Sequence, residues 1–597
     1  MRKAALFLVS FLAIVVTIAP FYLQTSDLSR QTQLKRFSSY EELKSFLKAS
    51  SQKDRYYNGG LWVQTFGMNA LDMESGTRTG TVPDYSTTNI QVEGVDEADI
   101  VKTDGTYIYV VSGNSIFIVK AYHPEEAQVL SKIIFDENPQ EIFIKENKLA
   151  VFGSAVSHNY KTFTVTDDRT FVKVYDISDR MNPVLTRNFS ISGSYFNSRM
   201  ISKYLYVVVS QPACLISDTL ILPKTYSEKG TKEILASEIF YADVSDYSYA
   251  FTTIVAIDLQ NDEQEPTHET FLLGATSCMY VSLNNIYITF WKGENTLIYR
   301  IRVADEKMEC EADGKVPGHV LNQFSMDEYN SHFRIATTTW INGMSQNNVY
   351  VLNANLSIIG KLENLAPKET IYSARFMGDR CYLVTFQKID PLFVIDLKNP
   401  SNPKVLGKLK ITGYSDYLHP YDENHIIGIG KETDAAEEGD FAWYQGVKIS
   451  LFDVSNVEKP KEIDKYEIGD RGTDSPLLRD NKALLFDKSK SLLVIPVLVA
   501  EIDPEKYPDG VPPYAYGDYV WQGAYVFDIS LDGLALRGGI THLENDIELM
   551  KSGYYFSSTY SVKRSLYIDN VLYTVSDKKI KMNSLENLEA INEVELP

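Results

Sequence analysis

Residues 98–113 read ADIVKTDGTYIYVVSG and residues 115–121 read SIFIVKA, and together they hold three strands of a repeating unit. The first stretch is two apolar runs joined at Asp104-Gly105, a pair that accepts the positive φ of a tight hairpin. We name the strands A to D: A and B form this hairpin, C is the next apolar run, and D follows a polar turn. The unit predicts a four-stranded antiparallel sheet.

The unit recurs along the rest of the chain. Strand C reappears, closed by an aspartate, as VKVYDIS (172–178), TIVAIDL (253–259), LFVIDLK (392–398), ISLFDVS (449–455) and AYVFDIS (524–530). Such runs suit strands that are buried on both faces. A repeated four-strand unit is typical of a β-propeller, so we predict an all-β fold of four-stranded blades. The repeat count predicts nine blades, with eight as the alternative because propellers usually have about four to eight.

The N-terminus is expected to target the chain. Arg2 and Lys3 precede an apolar run from Ala4 to Leu23, which is long enough to form a transmembrane helix. We predict a signal anchor over residues 1–25, because TIAPFYLQ (17–24) offers no clean cleavage site. A cleaved signal peptide, and hence a secreted protein, is the alternative. The positive charges before the apolar run place the propeller outside the cytoplasm in both cases.

Three further segments complete the predicted domain organisation. Residues 26–57 contain one short helix, since SSYEELKSFLKAS (38–50) has serine at its start, acids in its first turn and one apolar face. Residues 58–92 are rich in Gly, Thr and Ser and are predicted to be a linker. Residues 93–597 form the propeller.

The charge of the chain limits its partners. It carries 79 acidic against 58 basic residues, for a net charge of −21. Nucleic acids and anionic membrane surfaces require clustered Lys and Arg, so we expect no nucleic-acid partner.

The repeat also predicts which loops share a face. Because the strands of a blade are antiparallel, the A–B and C–D turns lie on one face, and the B–C loops and D-to-A connections lie on the other. All five large inserts fall in the second class: residues 154–170, 211–251, 431–446, 499–523 and 541–562. Function usually lies on loops that a rigid scaffold holds. We therefore expect this loop-rich face to bind the ligand, with the inserts gathered around the pore mouth.

Aromatic side chains are concentrated in these inserts. Exposed Tyr and Trp beside acids suit sugar or peptide recognition, because their rings offer flat apolar area with a polar tip. The predicted ligand contacts are Trp443, Tyr514, Tyr516, Tyr519 and Trp521. The alternative is that these rings pack on one another to order the long loops.

Two further sites are predicted from side-chain type. The carboxylates that open the first A strand, Glu93, Asp96, Glu97 and Asp99, could bind calcium at the pore mouth; otherwise they bond backbone N–H groups. No other cofactor is indicated. Cys214 and Cys278 fall on the loop-rich face of adjacent blades, so we predict a disulfide between them, with Cys310 and Cys381 free.

The run VEGVDEADIVKTDG (92–105) resembles the signature of a family of secreted or membrane-anchored β-propeller proteins of archaea and bacteria. SYEELKSFLK (39–48) and the C-terminal stretch from Arg564 look like the same family, and VYDISDRMNP (174–183) resembles the LVIVD-type propeller repeat of surface proteins. The resemblance implies the fold and a location at the cell membrane or envelope. It brings no established activity and no catalytic residues.

Three functions remain open from the sequence. The favoured interpretation is a non-catalytic, membrane-anchored module that binds a protein or glycan ligand through its loop-rich face. The first alternative is an extracytoplasmic glycan hydrolase or lyase with paired carboxylates at the pore mouth. The second is a structural protein of the cell envelope. A channel filled with side chains would disfavour the enzyme.

Overall fold

The computed structural model describes residues 34–52, 83–155, 168–242, 249–274, 276–387, 390–436, 439, 441–545, 547–550, 553 and 555–597. The predicted membrane segment 4–23 and most of the predicted linker lie outside these residues. Among the helices of the described part of the chain, none is both long enough and apolar enough to cross a bilayer.

The elements before and within the first three blades begin with a short strand and a helix. In chain order they are β1 (Leu34–Arg36), α1 (Tyr40–Gln52), β2 (Val95–Glu97), β3 (Val101–Thr103), β4 (Tyr107–Ser112), β5 (Ser115–Lys120), β6 (Gln128–Ile134), β7 (Asn138–Lys145), β8 (Lys148–Ala155), β9 (Arg169–Asp176), β10 (Val184–Ser192), β11 (Ser194–Ile201), β12 (Tyr204–Pro212), β13 (Leu215–Ile216), β14 (Thr219–Leu220), β15 (Lys224–Ser227), β16 (Gly230–Glu233), β17 (Ile239–Ala242), β18 (Tyr249–Asp258) and β19 (Thr267–Gly274).

Six regular blades come next, each made of four consecutive strands. They comprise β20 (Thr276–Val281), β21 (Asn285–Lys292), β22 (Asn295–Ala304), β23 (Lys307–Pro317), β24 (Met326–Tyr329), β25 (His332–Ile341), β26 (Met344–Leu352), β27 (Ile358–Leu365), β28 (Thr370–Met377), β29 (Arg380–Phe386), β30 (Asp390–Asp396), β31 (Lys404–Ile411), β32 (Tyr414–Asp422), β33 (His425–Ala435), β34 (Ala442–Asp453), β35 (Lys461–Ile468), β36 (Leu485–Asp487), β37 (Leu492–Glu501), β38 (Asp518–Ser530), β39 (Gly533–Ile540), α2 (Ile547–Met550), β40 (Arg564–Ile568), β41 (Val571–Val575), β42 (Lys579–Ser584) and β43 (Ala590–Glu595).

The predicted β-propeller of four-stranded blades is confirmed. Within the described residues, seven sheets have four strands, and a six-stranded and a seven-stranded sheet each contain one further four-strand unit. Nine units therefore succeed one another, numbered here as blades 1 to 9. The strands of each unit pair in the order A–B–C–D, so the hairpins that the turn residues predict are present.

Apolar packing between neighbouring blades closes the ring. Each pair of neighbours shares a cluster of buried apolar side chains. Blade 9 meets blade 1 through Ile108, Val110 and Tyr573, and the Tyr573 hydroxyl donates to the Ala121 carbonyl at 2.7 Å. All four strands of blade 9 come from the C-terminal segment, and within the part of the chain that the structure describes no strand from the N-terminal side completes this blade. Blades 1 and 9 are therefore held together by the burial of their side chains.

The part of the blade 3 insert that the structure describes from residue 213 to 242 builds outward from the ring. β15 and β16 extend blade 2 beyond β10, while β17 lies parallel to β19 at the outer edge of blade 3 and β1 pairs with β17. Helix α1 begins after Ser39, whose Oγ accepts from the Glu42 amide at 3.2 Å. It buries Leu43 and Leu47 against this insert. The prediction that all inserts surround the pore mouth is therefore wrong for this one, since its apolar residues are covered by α1 at the periphery.

Candidate functional site

Two of the inserts on the loop-rich face are long β-ladders. β33 and β34 stay paired as far as Ala435 and Ala442, and β37 and β38 stay paired as far as Glu501 and Asp518. The Gln445 side chain joins the two hairpins, because its Nε2 donates to the Pro513 carbonyl at 3.0 Å. Blades 7 and 8 thus present two connected projections on this face.

A basic aromatic cluster, formed by Trp443, Arg471, Tyr514 and Tyr516, lies between these projections. The Arg471 guanidinium lies 5.3 Å from the Trp443 ring centroid and 4.4 Å from that of Tyr516. The rings of Trp443 and Tyr514 are 5.8 Å apart. Stacking of a guanidinium on aromatic faces holds the charge and the rings in one arrangement.

The cluster presents polar and apolar surface together. Tyr514 and Tyr516 are each 59% exposed, whereas Arg471 is half-buried. Arg471 donates from Nη1 to the Tyr444 carbonyl and from Nη2 to the Tyr516 hydroxyl, each at 3.0 Å. Within the described residues, which omit 437, 438 and 440, Arg471 makes no ion pair with a carboxylate. Two exposed rings beside a held cation can contact an apolar ligand face and a polar group at once.

Tyr519 lies close enough to Tyr516 of this cluster for the two hydroxyls to interact electrostatically, whereas Trp521 packs elsewhere. The Tyr519 ring lies 6.4 Å from Phe556. Trp521 is in mid-strand of β38, where its ring covers Gly523 and Gly539 and lies 4.5 Å from Tyr525. It packs against the core between blades 7 and 8. Trp521 stays an untested prediction as a ligand contact, but the ladder extends further than the sequence suggested and places its half-buried ring against the core.

Replacing Trp521 with alanine is expected to lower the free energy of unfolding by about 2–3 kcal/mol, below the full cost of a buried Trp because the ring is half-buried. Tyr514→Ala is the matched control, with an expected loss of about 0.5 kcal/mol or less because its ring is mostly exposed. Urea unfolding followed by circular dichroism measures both. Equal losses for the two variants would show that Trp521 is not a core residue.

The segment 83–100 fills the central channel. Tyr85 bridges Ile568 on the innermost strand of blade 9, β2 pairs with β11 of blade 3, and Asp99 bridges Ile142 of blade 2. These contacts are on the free edges of innermost strands, which face the axis. The part of the predicted linker from 83 to 92 is thus not a linker but lies inside the ring.

Two connections on the loop-rich face pack against the channel segment. The 3-10 turn Gln323–Ser325, before blade 5, and the turn Asn481–Ala483, before blade 8, consist of buried residues. The Asn89 side chain donates to the Asn481 carbonyl at 3.0 Å, and the Gln91 side chain donates to the Gln323 carbonyl at 3.0 Å. The channel segment is therefore bonded to two connections that are three blades apart in the ring.

Ion pairs fix the carboxylates of the channel segment. Asp99 accepts from Arg564 Nε at 2.9 Å, and the same guanidinium bonds Asp480. Burial alone would lower the pKa of Arg564, but the charges of Asp480 and Asp99 outweigh it and raise that pKa. Glu97 lies 3.3 Å from Arg199. Asp99 and Arg564 are 3% and 6% exposed, so these charges depend on each other for compensation.

The predicted calcium site is not formed by these four residues. Asp96 pairs with Lys102 at 2.7 Å, Glu97 and Asp99 pair with different arginines, and Glu93 is exposed. No group of three or more metal-ligating side chains occurs among the residues that the structure describes. The sequence placed the carboxylates correctly at the start of the first blade, but Lys102 of the same blade and arginines of blades 3 and 9 pair with three of them.

The predicted disulfide is also corrected, because Cys214 and Cys278 are both free. Cys214 is exposed at the start of the insert that folds outward over blade 3, whereas Cys278 packs against the cluster between blades 4 and 5. Burial raises the pKa of Cys278 to about 12. Of the other two, Cys381 is buried and Cys310 half-buried, and both are free.

The family model described as Beta propeller domain matches residues 85–588. The chain belongs to this family. The match begins within the channel segment, at the residue that bridges blade 9. The family's domain therefore includes the residues that close the channel as well as the blades.

Two relatives of this protein align with nearly its whole length. One is an uncharacterized protein of Methanocaldococcus jannaschii, 28% identical, covering 94% of this chain and 91% of its own. The other is an uncharacterized protein of Archaeoglobus fulgidus, 27% identical, covering 99% of each. Among solved structures, apo AztD from Citrobacter koseri is similar with 10% identity and a TM-score of 0.34, covering 82% of this chain and 94% of that one.

Arg471 of this beta propeller domain was not among the predicted site residues. Its only signal is a lone arginine in GDRGTD (469–474), in the connection that leads into a weak repeat next to two aromatic inserts. The partners of the channel carboxylates were also missed. Arg564 is 465 residues from Asp99, and no local pattern joins them.

Asp416 lies beside the channel, where it lines a small cavity with Arg479, Asp480 and Asn481. Burial raises the pKa of Asp416 to about 7, against the opposing effect of Lys431 and Arg479. A carboxyl whose pKa is higher folded than unfolded binds more protons in the folded state. Its contribution to stability therefore falls as the pH rises from about 4 to about 7.

Asp416→Asn is accordingly expected to be more stable than wild type at about pH 8, by about 1–2 kcal/mol, and to lose this advantage at about pH 4. Urea unfolding at the two pH values measures the difference. Asp532→Asn, at an exposed turn of blade 8, is the control and should show no pH-dependent difference. An Asp416→Asn effect that is the same at both pH values would contradict the assignment.

Proposed function

We propose that this chain is a membrane-anchored, extracytoplasmic propeller that binds a protein or glycan ligand through its loop-rich face. The observation that carries the proposal is the basic aromatic cluster. It combines two rings that are each 59% exposed with a cation held by stacking and hydrogen bonds. Tyr, Trp and Arg are the residues that dominate binding energy at interfaces.

The filled channel argues against the enzymatic alternative. A glycoside hydrolase needs two carboxyl groups about 5–10 Å apart that face a shared substrate cleft. At the start of the first blade, Glu97 and Asp99 are buried and paired with Arg199 and Arg564. Neither can serve as acid or base without breaking an ion pair that compensates a buried charge.

The location outside the cytoplasm is supported by the sequence before the fold. Arg2 and Lys3 precede the apolar run Ala4 to Leu23, and the described fold begins at Leu34. Positive charges on the cytoplasmic side of an apolar segment orient the chain after that segment toward the outside. The net charge of −21 remains unfavourable for nucleic-acid binding.

Binding can be tested with a glycan array and an array of immobilised acidic and aromatic peptides. We expect Tyr516→Ala to reduce each signal seen with wild type at least tenfold, since it removes a ring and the acceptor of Arg471. Tyr329→Ala is the matched control, because Tyr329 also contacts an arginine, Arg334 at 4.8 Å, but lies at an A–B turn on the opposite face.

Signals that are unchanged in Tyr516→Ala, or lowered equally in Tyr329→Ala, would contradict the cluster as the binding site. Thermal unfolding of both variants should stay close to wild type, which separates a loss of contacts from a loss of fold.

A further inference from the structure

Blades 4 and 5 carry exposed apolar side chains at the tips of their B–C hairpins. We call these residues, together with Leu321 of the connection between the two blades, the apolar rim: Trp291 at 61%, Trp340 at 54%, Ile341 at 52%, Met344 at 47% and Leu321 at 38% exposure. The blade 5 hairpin turns at Asn342 and Gly343, whose φ values of 51° and 78° fit a two-residue turn. The short turn holds Ile341 and Met344 side by side at the tip, where their ladder pairing ends.

One connection, residues 318–325, joins the two hairpins that carry the rim. The Trp291 ring lies 6.4 Å from that of His319, in the connection between the two blades. His319 forms a bridge with Thr338, two residues before Trp340. The Gly318 amide donates to the Glu294 carbonyl at 2.7 Å, which attaches the same connection to the blade 4 hairpin. A large exposed apolar patch of this kind marks a contact surface.

The chain enters the fold beside this rim and on the same face. Leu34, the first described residue, pairs with Ala242. Strand β17 runs parallel to β19, with Tyr241 opposite Leu272, so Ala242 and Leu34 are at the end of blade 3 that reaches the loop-rich face. Leu34 also packs against the cluster between blades 3 and 4, together with Leu297 of the blade 4 hairpin.

The length of chain before Leu34 limits how far this point can lie from the anchor. The apolar run ends at Leu23, which leaves ten residues, 24–33, before the fold. Ten residues span at most about 35 Å when fully extended. A membrane anchor over 4–23 therefore keeps the adjoining edge of the loop-rich face close to the bilayer.

We propose that the apolar rim inserts into the interfacial layer of the membrane that holds the anchor. This inference rests on the anchored location in the proposed function. Trp favours the bilayer interface because its ring is apolar with one polar N–H. Two anchoring points, the helix and the rim, would fix the tilt of the ring and leave blades 7 and 8, three blades further round the ring, outside the contact.

A bilayer fits the rim better than a second copy of the chain. Two hairpin tips form a convex surface that enters a soft interface without a matching groove. Two copies, each with a net charge of −21, repel each other. The lipid surface in the test is therefore zwitterionic.

The full chain, reconstituted in zwitterionic vesicles, provides the test. Flotation first shows whether the chain is anchored. Vesicles whose acyl chains are brominated near the headgroups then quench only those tryptophans that enter the interface. We expect brominated lipid to reduce the tryptophan fluorescence of the wild-type chain. The decrease, measured in absolute intensity against unbrominated vesicles, should be less than half as large in Trp291→Phe/Trp340→Phe. In Trp443→Phe/Trp521→Phe the loss should equal that of wild type.

The outcomes separate the two proposals. If the chain does not float, the anchor is wrong and the inference falls with it. If the chain floats but Trp291→Phe/Trp340→Phe loses as much emission as wild type, the rim does not touch lipid and the anchor stands. The absence of quenching together with cross-linking between copies at Met344→Cys would identify a second copy as the occupant and overturn the proposal.

Discussion

Replacing Arg564 with leucine is expected to lower the free energy of unfolding by about 3–5 kcal/mol, because the change leaves Asp99 and Asp480 without their cation. Burial raises the pKa of Asp99 even with Arg564 present, so its ionised form depends on this guanidinium. Urea unfolding at neutral pH measures the loss.

The control for this variant is Arg537→Leu. Arg537 also pairs with an aspartate, Asp528, but that carboxylate is half exposed, and exposed pairs contribute about 1 kcal/mol or less. Equal losses for the two variants would show that the channel ion pairs are no different from surface pairs.

Removing the channel segment is expected to have the largest effect. A chain that begins at Ile100 loses β2, the buried side chains of Ile90, Val95 and Ala98, and the carboxylates of Glu97 and Asp99 that pair with Arg199 and Arg564. We expect it to lack a cooperative unfolding transition. The loss in the free energy of unfolding should exceed the total for a typical domain, which is about 5–15 kcal/mol.

A chain that begins at Pro83 is the matched control, since it also lacks the N-terminal segment and α1 but keeps the channel filled. It should unfold cooperatively. Two chains with similar transitions would show that the segment only rests in the channel and does not hold the ring.

The repeating blades were predictable because each is specified locally. A hairpin such as that around Asp104-Gly105 needs only its own turn residues and the apolar runs on either side. The same rule predicted the loop-rich face, since it derives from the alternation of strand direction alone. The helix over α1 was likewise predicted from its capping serines and apolar face.

The channel was not predictable in the same way. Residues 83–92 have the composition of a linker, and their partners, Ile568, Asn481 and Gln323, belong to blades far away in the sequence. Only the closed ring brings these residues together.

The aromatic site was predicted in part for a related reason. The structure brings Trp443, Tyr514 and Tyr516 together around Arg471, whereas the length of the β37–β38 ladder places the Trp521 ring against the core. How far β37 and β38 continue beyond the repeat unit depends on their pairing with each other, and amino-acid composition does not show this. The outward path of the blade 3 insert depends on α1 in the same manner.

Hydrogen exchange of the full chain tests the central claim, that the chain fills its own channel and leaves binding to the loop-rich face. The Ile142 and Asp99 amides each donate to the other residue's carbonyl, at 2.9 and 3.3 Å, and the Val95 amide donates to the Val92 carbonyl at 3.0 Å. Peptides covering residues 89–100 should therefore exchange as slowly as those of the core strand β4, over hours. Exchange within seconds, at the rate of the loop 502–517, would show an open channel and contradict the account.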